Sequence, residues 1–127
     1  KIINISGKTK EYFMLENIGH DGYQAGLDYL IGGNDNTSGI AIWHIDENQS
    51  GNSDYTHKLV DLEEAADAGL DLGAHNGKQT SLFFSGNKTE FSNSTNPNSK
   101  TYSGTSSGIT INNISAAGDS MTFDVSF

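Results

Sequence analysis

Two histidines and a group of acidic residues, all able to bind a metal ion or exchange protons, lie close together in the middle of the sequence. They are His44, Asp46, Glu47, His57, Asp61, Glu63, Glu64 and Asp67. On an extended strand the side chains of His44 and Asp46 point to the same face, because side chains alternate with a period of two. If the segment that begins at His57 pairs with this strand, two imidazoles and several carboxylates come together, and zinc accepts such nitrogen and oxygen ligands. The alternative interpretation is a hydrogen-bonded core histidine surrounded by solvated acidic side chains.

The loop that follows His44 also offers a set of hard oxygen ligands. The candidates are Asp46, Glu47, Asn48, Asn52 and Asp54, and a second Asn- and Asp-rich loop spans residues 33–38. Calcium takes oxygen ligands of this kind, although neither loop has the spacing of an EF-hand. The sequence therefore favours calcium over zinc, with His44 and His57 as the ligands in the zinc alternative.

Four tyrosines lie in loop-like surroundings, where their rings could stack on a ligand such as a sugar. They are Tyr23, Tyr29, Tyr55 and Tyr102. Trp43 has Ile42 and Ile45 as close neighbours. We predict that Trp43 is a core residue rather than a binding platform.

Composition and motifs exclude several classes of function. Sixteen acidic against seven basic residues give a formal net charge of −9, which repels a phosphate backbone, so we expect no nucleic-acid partner. No apolar run approaches the roughly 20 residues that span a bilayer, and we expect no membrane insertion. The sequence has no cysteine, no His-Glu-x-x-His, no P-loop and no dinucleotide fingerprint, and no catalytic residue is predicted.

Alternating apolar residues predict the strands that must position these side chains. Residues 3–5 and 11–16 flank a Gly-containing turn and predict a hairpin, and residues 108–114 and 121–127 predict a second one. Residues 39–46 are apolar on both faces, which is typical of a central strand.

The intervening segments have weaker patterns. They predict strands at 27–31, 57–62 and 80–84, one helical turn at 63–67, and a long polar loop at 86–107 that is functional, metal-bound or mobile. About eight short strands with little helix predict an all-β fold, a single antiparallel β-sandwich domain over residues 1–127.

Several segments resemble, in the same order, the stretch that follows the catalytic domain of immune inhibitor A-like zinc metallopeptidases. They are residues 11–17, 21–27, 38–47, 60–65, 97–99, 107–109, 111–115 and 121–125. Residues 28–36 and 48–56 depart from the family pattern. The members of this family are secreted bacterial enzymes in which zinc on a His-Glu-x-x-His helix activates water to cleave peptide bonds.

Because that helix is missing here, the resemblance implies a non-catalytic accessory domain, excised from a larger extracellular protein. Such a domain packs on the catalytic domain of the same polypeptide and shapes its cleft, with zinc only in the absent domain and calcium as a structural ion here. We predict no protease activity for the isolated chain.

Two alternatives to an accessory domain stay open: an autonomous module that binds carbohydrate, such as a polysaccharide, or protein, and a structural spacer. An accessory domain predicts an exposed apolar patch, whereas a sugar-binding module predicts coplanar exposed tyrosine rings.

Overall fold

A computed structural model describes residues 1–19, 38–66, 69–71, 73 and 77–127 of the chain. Within these ranges there are six strands and one turn of 3₁₀ helix. The strands are β1 (Ile2–Asn4), β2 (Glu11–Ile18), β3 (Gly39–Asp46), β4 (Val60–Leu62), β5 (Thr110–Asn112) and β6 (Asp124–Ser126), and the 3₁₀ turn is Gln79–Ser81. The segment predicted as a strand at 27–31 lies outside the described residues.

The strands form two antiparallel sheets. The first contains four strands in the order β1-β2-β3-β4, and the second pairs β5 with β6. The protein is therefore nearly all strand, as predicted. The prediction of eight strands is not confirmed, because the described residues form four strands in one sheet and two in the other.

One hydrophobic core collects side chains from both sheets and from the loops between them. In β2 the buried residues follow the period of the strand, and the register with β3 places Phe13 opposite His44 and Leu15 opposite Ile42. The buried members of the core are Ile3, Ile5, Phe13, Leu15, Ile40, Ile42, Ala65, Phe83, Phe91, Ile109, Ile111 and Ile114. Val125 of β6 packs against this cluster from the second sheet. We call the side of the four-stranded sheet that faces this core its inner face.

The predicted central strand is confirmed as β3, which lies between β2 and β4 and is buried along almost its whole length. The prediction for Trp43 is wrong. Its side chain is only partly buried and lies outside the core cluster, because its position in the strand directs it to the other side of the sheet. The indole N–H donates a hydrogen bond to Glu16 Oε2 at 3.1 Å.

The weaker predictions between β3 and β5 need correction. The strand predicted at 57–62 is reduced to β4, and the strand predicted at 80–84 is replaced by the 3₁₀ turn and one isolated bridge between Phe83 and Ile40. No helix forms over the described residues 63–66, because the N–H groups of Ala65 and Ala66 donate to Ser81 O and Thr80 O rather than along a helix.

The long polar segment at 86–107 contains no regular strand, as predicted, but it packs on the rest of the chain. Phe91 bridges to Ile111, and its ring contacts Phe13 edge-on at 5.2 Å between centroids. Buried hydroxyls hold the remainder of the segment, for example the Ser99 hydroxyl, which donates to Ile109 O at 2.7 Å.

Gly39 provides a test of the packing between β3 and the 3₁₀ turn. A Cβ atom at this position would lie 2.8 Å from Leu82 Cβ and 3.1 Å from the Phe83 carbonyl oxygen. We expect Gly39→Ala to lower the free energy of unfolding by about 1–3 kcal/mol, as overpacking does, when measured by urea denaturation. The control is Gly51→Ala, where a Cβ meets no atom within 4 Å. Equal stability of the two variants would contradict the close packing.

Candidate functional site

His44 lies on the inner face of the four-stranded sheet and is held between two carboxylates. Its side chain is 4% exposed. Nε2 lies 3.1 Å from Glu11 Oε1, and Nδ1 lies 3.2 Å from Glu63 Oε1. Both ring nitrogens therefore contact a carboxylate oxygen. We call these three residues the Glu11–His44–Glu63 cluster.

The sequence builds this cluster through strand periodicity. Glu11 occupies the same face of β2 as Phe13 and Leu15, so its carboxylate is carried to the inner face and is almost completely buried. His44 follows Ile40 and Ile42 on the inner face of β3. The polar cluster thus continues the apolar core at one end of the sheet.

The geometry fixes the number of protons that the cluster needs. An ionised carboxylate can only accept a hydrogen bond, so both contacts of His44 are hydrogen bonds only if the ring carries two protons or one carboxyl is protonated. Burial raises the pKa of the Glu63 carboxyl, although the hydrogen bond with His44 acts in the opposite direction. In either arrangement two protons are shared among three groups and the cluster carries a net charge of −1.

Tyr102, from the long polar segment, closes over the cluster. Its backbone N–H donates to Glu11 Oε1 at 2.7 Å, and its ring stacks on His44 at 4.2 Å and on His57 at 4.1 Å between centroids. Burial raises the pKa of the Tyr102 phenol, although a backbone hydrogen bond from Lys58 acts in the opposite direction. Both stacking contacts of this ring go to the protein's own imidazoles.

The second histidine forms a separate pair beside the cluster. His57 Nε2 lies 2.8 Å from Asp46 Oδ2, while Asp46 Oδ1 accepts the backbone and side-chain N–H groups of Asn48. Burial acts to raise the pKa of Asp46, but the hydrogen bonds from Asn48 and His57 outweigh it and hold the pKa below its usual value. The sequence expectation of one cluster with two imidazoles and several carboxylates stays a prediction. His44 and His57 have different carboxylate partners, both stack on the Tyr102 ring, and His57 precedes β4 rather than lying in a strand.

The predicted calcium ligands are engaged in hydrogen bonds within the chain. Besides Asp46 and Asn48, Glu47 accepts the Tyr12 hydroxyl, and Asp54 accepts the N–H and hydroxyl of Thr56. Over the described ranges, no three His, Asp or Glu side chains form a group that could hold a metal ion. Calcium binding to this loop stays a prediction, and so does zinc binding by the two histidines.

Asn52, the fifth predicted calcium ligand, has a structural position at the edge of the sheet. Its side-chain amide donates to Val60 O at 2.9 Å and accepts from Val60 N at 3.0 Å. Among the described strands, β4 is the last on this side of the sheet. The amide therefore occupies backbone groups that another chain could otherwise pair with.

Of the four tyrosines predicted to stack on a ligand, Tyr55 and Tyr102 lie among the described residues. Tyr23 and Tyr29 lie outside the described residues. Tyr55 is 63% exposed, whereas Tyr102 is used in the stack with the imidazoles.

Residues 104–108 match the Gly-x-Ser-x-Gly pattern of α/β-hydrolase nucleophiles, although no nucleophile elbow is expected from the sequence. The central Ser106 lies in an exposed loop rather than between a strand and a helix. Its hydroxyl oxygen accepts hydrogen bonds from Asn93 Nδ2 and Gly108 N, and neither partner is a base. The pattern is therefore not a nucleophile elbow.

An open groove of about 380 Å³ lies between the end of the sheet and the long polar segment. It is lined by His44, Glu63, Asn96, Pro97, Asn98, Lys100, Thr101, Tyr102 and Gly104. A second hollow of about 240 Å³ shares Glu63, Asn96 and Pro97 with this groove and continues towards Asp61 and Asp71. Glu63 thus connects the buried cluster with the surface.

The opposite side of the same sheet, its outer face, is largely apolar. The strand register places Ile2, Met14, Trp43 and Leu62 in one row across all four strands. The neighbouring row contains Asn4, Tyr12, Ile45 and Val60. Ile2 is 59% exposed and Val60 is 37% exposed.

Over the described residues these features define a nearly all-β structure with a buried carboxylate–imidazole cluster on one side of a sheet. The other side carries rows of largely apolar side chains, of which Ile2 and Val60 are exposed. Comparisons with protein-family models, with curated proteins and with solved structures found no match. The described part of the chain has no helix that is long and apolar enough to cross a membrane. The resemblance to the metallopeptidases stays a prediction.

The raised pKa of Glu63 gives a pH dependence with a definite sign. Because the folded protein holds this proton more tightly than the unfolded chain, Glu63 makes stability fall as pH rises above the ordinary pKa of 4.5 towards the folded pKa. The glutamine side chain in the variant Glu63→Gln does not titrate. The free energy of unfolding of Glu63→Gln, relative to that of the parent chain, should therefore increase between about pH 4 and pH 7.

Urea denaturation over this pH range measures the difference. The control Glu90→Gln removes a negative charge from an exposed side chain and reports the effect of net charge alone. A difference for Glu63→Gln that shrinks as pH rises would contradict the effect of burial on this carboxyl.

The two hydrogen bonds between the Asn52 side chain and Val60 allow a structural role of Asn52 to be distinguished from a metal-binding role. We expect Asn52→Ala to lower the free energy of unfolding by about 1 kcal/mol, because two hydrogen bonds to Val60 are lost. The loss should be the same in calcium and in EDTA, with Ser53→Ala as the control. A loss seen only in calcium would assign Asn52 to a metal site instead.

Proposed function

We propose that this chain is a non-catalytic β domain that packs on another protein domain through the outer face of its four-stranded sheet. In this proposal it is an accessory domain of a secreted bacterial metallopeptidase-like protein. The observation that supports it is the row of Ile2, Met14, Trp43 and Leu62 across all four strands.

The outer face has the properties of a surface that a partner covers. Directly opposed side chains on neighbouring strands lie in contact, so the row forms a continuous surface rather than scattered apolar residues. Large exposed apolar patches mark interaction sites, and on this face Ile2 and Val60 are exposed while Ala41 and Ile45 are buried. The inner face of the same sheet already has its own core.

Two carboxylates flank the outer face and determine what a partner should provide. Glu16 accepts the Trp43 indole N–H, and Glu47 accepts the Tyr12 hydroxyl at 2.9 Å. The polar atoms of the two aromatic side chains are thus satisfied, which leaves their hydrocarbon surfaces for packing. The matching partner has an apolar centre with hydrogen-bond donors or basic groups at its rim.

The remaining parts of the proposal rest on the sequence resemblance. In it, the catalytic domain of the same polypeptide carries the zinc, and this domain stabilises it or shapes its cleft in an extracellular protein, with calcium as a structural ion. We also infer a β-sandwich, because residues from both sheets meet in one core. The alternative of a sugar-binding module with a tyrosine platform has less support, because the Tyr102 ring is already stacked on two imidazoles.

The test begins with the coding sequence on either side of this chain, where we expect a His-Glu-x-x-His motif upstream of Lys1. The peptidase domain and this chain are then produced separately, and their association is measured by calorimetry. We expect Val60→Lys to weaken binding by about a hundredfold, because an unpaired charge buried in an apolar interface costs about 3 kcal/mol.

The control is Tyr55→Lys, which introduces the same charge at an exposed aromatic residue that is not part of the strands of the outer face and should leave binding unchanged. Because Val60 is exposed, the melting temperature of the isolated variant should also stay close to that of the parent chain. A gene without a peptidase domain, or tight binding by Val60→Lys, would overturn the proposal.

A further inference from the structure

The groove beside the Glu11–His44–Glu63 cluster contains polar groups that make no hydrogen bond to the described residues. Glu63 uses Oε1 for His44, and no hydrogen bond of Oε2 to a described residue is present. The side-chain amide of Asn96 and the ammonium group of Lys100 likewise make no hydrogen bond within the described ranges, and Asn98 uses only its Oδ1 atom, for Lys100 N. These groups line a single space of about 380 Å³, a volume typical of small-ligand sites.

We propose that this groove binds a neutral saccharide, with Glu63, Asn96 and Asn98 as hydrogen-bonding residues. A sugar hydroxyl is both a donor and an acceptor, and carboxyl and amide groups pair with it in both directions. Pro97 and the edge of Tyr102 provide a small apolar surface for the C–H groups of a sugar ring.

The charges of the lining disfavour an ionic ligand. One carboxyl, Glu63, and one ammonium group, Lys100, lie in the same groove, so a ligand of either sign is attracted by one and repelled by the other. Burial raises the pKa of Glu63, which also weakens its attraction for a cation. Neutral ligands have no such conflict.

The lining also disfavours a peptide. Two common modes of peptide recognition use apolar side-chain pockets or a free strand edge. The groove offers only Pro97 and Tyr102 as apolar contacts, and the Asn52 amide occupies the free edge of β4 at Val60. A saccharide therefore fits these groups better than an extended peptide does.

The groove and the outer face lie on opposite sides of the same sheet. His44 contributes to the groove from the inner face of β3, while its neighbour Trp43 belongs to the outer face. A domain that packs on the outer face leaves the groove accessible. The saccharide proposal therefore does not depend on the proposed accessory role, and either one can fail without the other.

The test is a titration of the ¹⁵N-labelled chain with three probes: cellotriose, maltotriose and tri-N-acetylchitotriose, each up to about 10 mM. We expect at least one trisaccharide to shift the backbone amide resonances of residues 96–104 and Glu63, with a dissociation constant of about 1 mM. A casein digest serves as the peptide probe. Shifts of these amides by the digest and by none of the sugars would overturn the proposal, as would the absence of any shift in the groove.

A matched pair of variants tests the assignment of the site. Asn96 is exposed and its side chain makes no hydrogen bond with the described residues, so Asn96→Ala should fold normally and weaken sugar binding about fivefold. The control Asn4→Ala, an exposed asparagine on β1, should leave binding unchanged. Equal binding by both variants would show that the sugar binds elsewhere and would overturn the proposal.

Discussion

An imidazole buried between two carboxylates is the interaction on which this structure depends most. Glu11 lies in β2, His44 in β3 and Glu63 just after β4, and the backbone of Tyr102 bonds to the same Glu11 oxygen as the imidazole does. A buried charge is tolerated only when it is paired, and removal of one partner leaves the others uncompensated. The four segments must therefore come together with their protons correctly placed.

This constraint explains how a long polar segment can cover a sheet without forming a strand. The segment contributes two aromatic rings to the inner face: Phe91 packs against Phe13, and Tyr102 stacks on His44. Phe13 and His44 are themselves in ring contact at 4.5 Å between centroids. Between these two rings, buried hydroxyls such as that of Ser99 bond to backbone carbonyls. Asn, Ser and Thr are therefore not only loop formers in this chain, because their side chains replace the backbone ladder of a sheet.

Alternating apolar residues predict the two hairpins, and a run that is apolar on both faces predicts β3. The apolar pattern at 80–84 wrongly predicts a strand, because Phe83 is buried through a single bridge to Ile40 rather than through a strand. Glu11 was overlooked as a site residue, although a signal was present: it shares the face of Phe13 and Leu15 in the strand. The stack of Tyr102 on two imidazoles had no such signal, since it joins residues about 45 and 58 positions apart through a loop of irregular conformation.

The two faces of β3 explain why this strand is apolar at both parities. Ile40, Ile42 and His44 belong to the inner face, whereas Ala41, Trp43 and Ile45 belong to the outer face. A half-solvated antiparallel strand needs apolar residues at only one parity, and apolar residues at both are typical of a strand that is covered on both sides. The residues of β3 that point to the inner face are buried by the core of the chain itself. On the outer face, residues of the neighbouring strands β1 and β4 are exposed. A partner domain would bury those residues as the core buries the residues of the inner face.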